Sequence, residues 1–141
     1  MRMRTAATYL IAIFTIVGEC VAEPTLTVSG RFEYRTDAES LEIIGDVVCF
    51  YPSPSSSWVL PRPKSDKRLS WFCFTNIISS KKLLGIRVPP GKAACGVTGK
   101  ASIQISNYVP YLGEGDGVDT ARLVSVGNSS SAEMLPCIAS P

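Results

Sequence analysis

The feature that most constrains this chain is the even set of four cysteines that remains once an export signal is removed. Arg2 and Arg4 precede an apolar run, Ala6–Val17, and a stretch of small residues that ends at Ala22. This order is typical of a cleaved signal peptide, and we expect cleavage after Ala22. The apolar run is short for a bilayer-crossing helix. We therefore expect no membrane span and a secreted or periplasmic protein.

The fifth cysteine, Cys20, lies within the predicted signal. The remaining four are Cys49, Cys73, Cys95 and Cys137. An even number of cysteines in a small exported chain is typical of a disulfide framework, although sequence alone leaves three connectivities open. We expect Cys49–Cys73 and Cys95–Cys137, because a hairpin centred near Pro61 would place the first two opposite each other. The rival pairing joins Cys73 to Cys95.

The predicted mature chain, residues 23–141, has the length of one domain with one core. Removing Arg2, Arg4 and Glu19 from 14 basic and 12 acidic residues leaves 12 and 11, a net charge of +1. Such a small net charge does not favour binding to nucleic acid or to a membrane surface. We expect a single disulfide-stapled β domain that is a monomer and binds no nucleic acid.

Alternation of apolar and polar residues predicts β-strands along most of the mature chain. The predicted elements are strands at Thr25–Arg35, Leu41–Tyr51 and Leu69–Asn76, a short edge strand at Trp58–Leu60, a helix at Ile77–Leu84, and strands at Lys100–Tyr108 and Ala121–Val126. The small and polar residues of Gly127–Ser131 predict a flexible linker.

This order, three main strands, one short helix and two strands, resembles the oligonucleotide/oligosaccharide-binding fold, a small five-stranded Greek-key barrel. The resemblance covers Thr25 to Val126 and consists of the order of elements, without a family-specific sequence motif. It implies a mainly β barrel. A small β-sandwich is the alternative, because evenly spaced short strands also suit that class. Neither fold by itself implies a function.

The sequence contains few of the residue patterns and motifs that enzymes use in catalysis. It contains no histidine, the commonest general base and a common metal ligand. Disulfide-bonded cysteines are neither nucleophiles nor zinc ligands. The segment Glu114–Asp119 groups three carboxylates, but its spacing does not match an EF-hand, and we expect a solvated loop. The chain is therefore expected to be no enzyme and to hold no cofactor or metal.

The basic residues cluster in one part of the chain. From Arg62 to Lys92, eight basic residues stand against Asp66 alone, a net charge of +7. The candidate binding residues are Trp58, Arg62, Lys64, Lys67, Arg68 and Trp71. Aromatic and arginine side chains dominate binding hot spots, and aromatic faces stack on sugars or cations. The competing interpretation is that these charges pair across the fold with the acidic segments on either side of the cluster.

The leading hypothesis is an exported non-enzymatic binding module that recognises an acidic protein or a polyanionic glycan, as an inhibitor or immunity-type protein would. The alternative is a structural or envelope-associated domain without a dedicated ligand, and exposure of Trp58 distinguishes the two. A hydrolase using Asp46 and Glu114 ranks third, because nothing in the sequence brings them together. Asn128-Ser129-Ser130 is an N-glycosylation acceptor, which has meaning only in a eukaryotic secretory route.

Overall fold

The computed structural model of the protein describes residues 23–87 and 94–137. The predicted signal peptide, its cleavage point and Lys92 lie outside these residues. The strands are β1 Leu26–Arg35, β2 Val48–Pro52, β3 Phe72–Phe74, β4 Ala94–Val109, β5 Asp119–Ser129 and β6 Glu133–Pro136, and the helices are α1 Ala38–Ile44 and α2 Ile77–Leu83. Within the described ranges, no helix has the length and apolar character needed to cross a bilayer.

Five of the strands close into a ring in the order β1-β2-β3-β5-β4, because β4 also pairs with β1. The pairings in the ring are antiparallel except that of β3 with β5, which is parallel. Helix α2 connects β3 to β4. This arrangement confirms the expected five-stranded barrel of the oligonucleotide/oligosaccharide-binding type and not the sandwich. Strand β6 lies outside the ring and pairs with the first residues of β4.

The barrel interior contains four phenylalanine rings among aliphatic side chains. Phe32, Phe50, Phe72 and Phe74 are each at most 1% exposed. The rings of Phe50 and Phe72 lie 5.6 Å apart across β2 and β3. Burying a phenylalanine side chain contributes about 1.5 to 3 kcal/mol, so these four rings supply much of the driving force for closing the barrel.

Both expected disulfides are present, Cys49–Cys73 and Cys95–Cys137. Cys49 and Cys73 face each other directly in the register of β2 and β3, as the hairpin argument predicts. The second disulfide joins β4 to the residue that follows β6. Disulfides of this kind are typical of extracellular or periplasmic proteins.

The predicted second strand was wrong in its first half, which forms helix α1. The carboxylate of Asp37 caps the helix by accepting a hydrogen bond from the backbone N–H of Ser40 at 2.9 Å. Gly45 ends it with a φ of 79°, a conformation that favours glycine, and its N–H donates to the carbonyl of Leu41. Apolar residues three apart, Leu41 and Ile44, fit a helix between two caps, although the same residues suggested a two-sided strand.

The predicted third strand was too long, and the predicted edge strand at Trp58 is a 3₁₀ turn, Ser57–Val59. Only Phe72–Phe74 of the third strand joins the sheet. The carbonyl of Arg68 accepts a hydrogen bond from the Arg62 guanidinium at 2.9 Å. Residues 53–71 therefore form one long connection, called here the β2–β3 loop. The predicted linker was also partly wrong, since β5 runs through Ser129.

Removing the second disulfide should release β6 without opening the barrel, because β6 is not a member of the ring. In Cys95→Ala/Cys137→Ala, hydrogen–deuterium exchange should accelerate at residues 133–136 and stay slow at residues 72–74. Exchange measured by mass spectrometry on the oxidised proteins checks this. Equal acceleration in both segments would contradict it and would place β6 within the cooperative core.

Candidate functional site

The six candidate binding residues all belong to the β2–β3 loop, which uses them in three ways. Two arginines, Arg62 and Arg68, form ion pairs with carboxylates of the protein itself. Two lysines, Lys64 and Lys67, are exposed. The tryptophans differ from each other, since Trp58 is exposed and Trp71 is half-buried.

Arg62 anchors the loop. Its side chain is only 9% exposed, and its Nη2 lies 2.8 Å from Asp66 Oδ2. Its Nη1 donates to the carbonyl of Arg68 at 2.9 Å and to Ser70 Oγ at 3.0 Å. Its Nε lies 3.0 Å from Asp119 Oδ2, close enough for an ion pair although not aligned as a hydrogen bond. One guanidinium thus ties together both halves of the loop and the start of β5.

Arg68 binds the same carboxylate as Arg62. Its Nε and Nη2 donate to Asp66 Oδ1 and Oδ2 at 3.0 and 2.7 Å, the two-pronged geometry that makes arginine–carboxylate pairs strong. Its Nη2 also donates to the carbonyl of Tyr111 and lies 3.8 Å from Asp119 Oδ1. The hydrogen bonds from Arg68 hold the pKa of the Asp66 carboxyl far below its usual range.

Asp119 supplies the second carboxylate from a distant part of the sequence. It is 3% exposed and accepts hydrogen bonds from the backbone N–H of Tyr111, at 2.7 Å, and from the hydroxyl of Tyr108. Burial, and then the hydrogen bond to Asp119, raise the pKa of the Tyr108 hydroxyl. The parallel pairing of β5 with β3 sets Asp119 beside Phe72, where the β2–β3 loop ends. Arg62, Asp66, Arg68 and Asp119 are together called the clasp.

The clasp changes the interpretation of two charged segments. Among residues 114–119, where the sequence predicted a solvated loop, Glu114 and Asp116 are exposed but Asp119 is buried and engaged by arginines. No group of three or more acidic, cysteine or histidine side chains in the described ranges could hold a metal ion. In the basic cluster, the clasp engages both arginines of the loop, and Lys81 lies 2.6 Å from Asp46. Asp119 and Asp46, which lie outside the basic cluster, therefore offset two of its seven net positive charges.

The two lysines of the loop are not part of the clasp. Lys64 and Lys67 are exposed, and among residues 23–87 and 94–137 neither forms an ion pair. Trp58 is 79% exposed on the 3₁₀ turn of the same loop, and its indole N–H donates to the carbonyl of Ser55 at 2.9 Å. This hydrogen bond holds the exposed indole at a fixed orientation on the loop.

Trp71 is part of a stack on the outer face of the barrel. Its ring lies parallel to that of Tyr51, with centroids 5.7 Å apart and planes inclined by 6°. The guanidinium of Arg31 lies 4.7 Å from the centre of the Tyr51 ring. Because β1 and β3 flank β2 on opposite sides, Arg31 and Trp71 cover opposite faces of Tyr51. These three residues are called the stack.

A concavity lies on each side of the stack. The smaller, about 260 Å³, is formed by Trp71, Leu69 and the clasp arginines against residues 115–119. The larger is an open groove of about 540 Å³, called here the serine groove. It is lined by Ser29, Gly30, Arg31, Tyr51, Ser53, Lys100, Ala101, Ser102, Asn128, Ser129 and Ser130.

Sequence analysis did not predict the serine groove, because its lining comes from segments that only barrel closure brings together. Arg31 on β1 faces Lys100 on β4, and Ala101 faces Ser129 on β5. The alternation of β1 and β4 does place Ser29, Arg31 and Lys100 on the outer face. That signal was present in the sequence, but it could not show that the two strands are neighbours.

No known protein family, curated protein or solved structure matches this chain. The protein's own side chains therefore indicate what it can bind: a clasped loop that displays Lys64 and Lys67, an exposed tryptophan, and a groove lined by Arg31 and Lys100.

Replacing Arg62 by alanine should destabilise the protein strongly, because Asp119 would remain buried without its closest cation. Breaking a buried ion pair by removing one partner typically lowers the free energy of unfolding by about 3 to 5 kcal/mol. Lys64→Ala, in the same loop but exposed, should change it by about 0.5 kcal/mol or less. Urea unfolding of the two variants checks this, and equal values would show that the clasp does not hold the loop.

The clasp should also lose stability in acid. The pKa of Asp66 in the folded protein lies below its ordinary value of 3.8, so its contribution is present above about pH 4 and is lost as pH falls from there toward the lower folded-state pKa. Asp66→Asn should therefore show a shallower acid loss than wild type in urea midpoints measured from about pH 5 to pH 2. Asp116→Asn, an exposed carboxylate outside the clasp, is the control and should keep the wild-type slope.

Proposed function

We propose that this protein is an exported, non-enzymatic binding module whose β2–β3 loop recognises an acidic protein or a polyanionic glycan through Trp58, Lys64 and Lys67. The observation that carries the proposal is that the arginines and the lysines of the loop are in different environments. Its arginines are bound internally by the clasp, whereas its lysines are displayed without carboxylate partners among the described residues.

A fixed loop suits recognition. Connections longer than about 12 to 15 residues without regular structure are uncommon in compact domains and are usually functional or disordered. The β2–β3 loop is long, yet Arg62 and Arg68 join it to Asp119 of β5, and both also pair with Asp66 within the loop. A binding surface that is already ordered loses less conformational entropy when a partner docks.

The candidate residues then have distinct roles. Trp58 offers a large flat surface of the kind that dominates binding energy at interfaces. Lys64 and Lys67 attract an anionic partner and orient its approach. Arg62 and Arg68 are positioning residues, because their guanidinium groups are directed to Asp66 and Asp119. Trp71 supports the same face through the stack and borders the smaller concavity.

The signal-like first 22 residues and the two disulfides support the export part of the proposal. The exposure of Trp58 favours recognition over a purely structural domain, because tryptophan is enriched among the residues that dominate binding energy at interfaces. Hydrolysis is less favoured, because Asp46 is engaged by Lys81 at 2.6 Å and by the hydroxyl of Tyr34 at 2.8 Å.

Charge reversal of the loop lysines should weaken retention on a polyanion. Lys64→Glu/Lys67→Glu is compared with Lys82→Glu/Arg122→Glu, which makes the same change in net charge at exposed cations on α2 and β5. On immobilised heparin and on immobilised polyglutamate, the first variant should elute at clearly lower salt than wild type and the second close to wild type.

Trp58→Ala tests the tryptophan without changing the net charge. This variant should also elute from both columns at a lower salt concentration than wild type. Stronger wild-type retention on heparin would identify a glycan as the partner, and stronger retention on polyglutamate an acidic protein. If the two charge-reversed variants elute together, retention reflects overall charge and the loop is not the binding surface.

A further inference from the structure

The serine groove carries the chemistry of a ligand site that the proposed function of the loop does not use. Its volume, about 540 Å³, lies in the range of small-molecule sites, about 300 to 1,000 Å³. Strands β1, β2 and β4 and the end of β5 contribute to it, so its walls belong mainly to the barrel. A site on such elements is held more rigidly than one on a free loop.

The charged side chains that line the groove are all positive. Its lining contains Arg31 and Lys100 and no aspartate or glutamate. These two residues face each other directly in the register of β1 and β4, and like charges in that position destabilise a sheet. The positive charge of Arg31 is partly compensated by an ion pair with Glu33, which also pairs with Arg35. Lys100 forms no ion pair within the part of the chain that the structure describes. An anion placed between the two cations would relieve their repulsion.

The remaining polar groups of the groove are mostly hydroxyls. Ser29 Oγ and Ser102 Oγ lie 3.1 Å apart, across the same pair of strands as the two cations. Ser130 Oγ accepts a hydrogen bond from the backbone N–H of Lys100 at 2.9 Å and donates to the carbonyl of Ser131 at 3.3 Å. Ser53, Ser129 and the amide of Asn128 complete the set. Serine hydroxyls and amides can both donate to and accept from the hydroxyl groups of a sugar.

The stack argues against a nucleotide in this groove. Tyr51 is the only aromatic residue among the lining residues. Its ring is covered by the guanidinium of Arg31 on one face, at 4.7 Å, and by the ring of Trp71 on the other, at 5.7 Å. A nucleobase would therefore find no free aromatic face to stack on, whereas a saccharide that uses hydroxyls and a negative charge needs none.

We propose that the serine groove binds an anionic saccharide. Arg31 and Lys100 hold its sulfate or carboxylate group, and the serine hydroxyls and the Asn128 amide contact the hydroxyls of its ring. The loop lysines are not part of this site, so it stands independently of the proposed function of the loop.

Calorimetric titration of the oxidised domain tests the proposal. The protein is produced in a host without N-glycosylation, because the acceptor sequence Asn128-Ser129-Ser130 lies in the groove. The probes are a sulfated uronate disaccharide, maltose as a neutral disaccharide, a mononucleotide and inorganic sulfate. The sulfated disaccharide should bind at least tenfold more tightly than each of the other three.

Matched variants assign the binding to the groove. Arg31→Gln/Lys100→Gln should weaken binding of the sulfated disaccharide at least tenfold, and Lys64→Gln/Lys67→Gln should leave it unchanged. Ser129→Trp fills the groove without altering its charge and should abolish binding, whereas Ser131→Trp, at an exposed residue outside the lining, should not. Circular dichroism shows whether Arg31→Gln/Lys100→Gln folds. If it does not fold, the comparison of Ser129→Trp with Ser131→Trp provides the test.

Three results obtained with the wild-type domain and with Ser129→Trp would overturn the proposal. They are wild-type affinity in Ser129→Trp, equal affinity for the sulfated disaccharide and for inorganic sulfate or the mononucleotide, and absence of binding to the folded wild-type domain. Loss of disaccharide binding in the loop variant alone would also overturn it, by assigning the saccharide to the loop. The first three results do not bear on capture of a polyanion by the loop lysines, which is measured separately.

Discussion

The buried guanidinium of Arg62 is the group on which the arrangement of the surface depends. An arginine removed from water in this way is tolerated only when carboxylates and carbonyls surround it. Here Asp66 comes from the same loop and Asp119 from the start of β5, at 2.8 and 3.0 Å. Any other conformation of the loop would leave at least one of these charges without its partner. The ion pairs therefore select one loop geometry, even though such pairs add little net stability compared with apolar packing.

The barrel makes the clasp possible. The parallel pairing of β3 with β5 sets Asp119 beside Phe72, and the loop reaches β3 at this point. At the base of the loop, the disulfide Cys49–Cys73 links the two strands that it connects. The loop is thus held by a covalent bond at its base and by charge along its length. Between these restraints, Trp58, Lys64 and Lys67 remain exposed at the surface.

The sequence predicted those parts of the fold that depend on local pattern. Alternation located β1 and β4, the order of elements indicated the barrel, and the hairpin argument placed Cys49 opposite Cys73. Composition was misleading at α1, where the capping residues Asp37 and Gly45 favour a helix although the residues between them are typical of a strand. The helix-end signals at Asp37 and Gly45 are visible in the sequence, and they decide the structure of this segment.

The sites were harder to predict, because they depend on contacts between distant segments. Asp66 follows Arg62 by four residues and could have been expected as its partner, whereas Asp119 comes close only through β3–β5 pairing. The opposition of Arg31 and Lys100 likewise requires β1 and β4 to be neighbours in a closed ring. Basic residues that look equivalent in the sequence therefore separate into clasp residues, displayed lysines and groove cations only in three dimensions.

The central claim is that the exposed β2–β3 loop is held in one conformation by the clasp. The most direct test is ¹⁵N relaxation of the oxidised domain at pH 7, read as backbone order parameters at Lys64 and Lys67. The account predicts values near those of a rigid backbone, about 0.85, although both residues lie in an irregular and exposed segment. Values below about 0.6 would show a flexible loop and would contradict it.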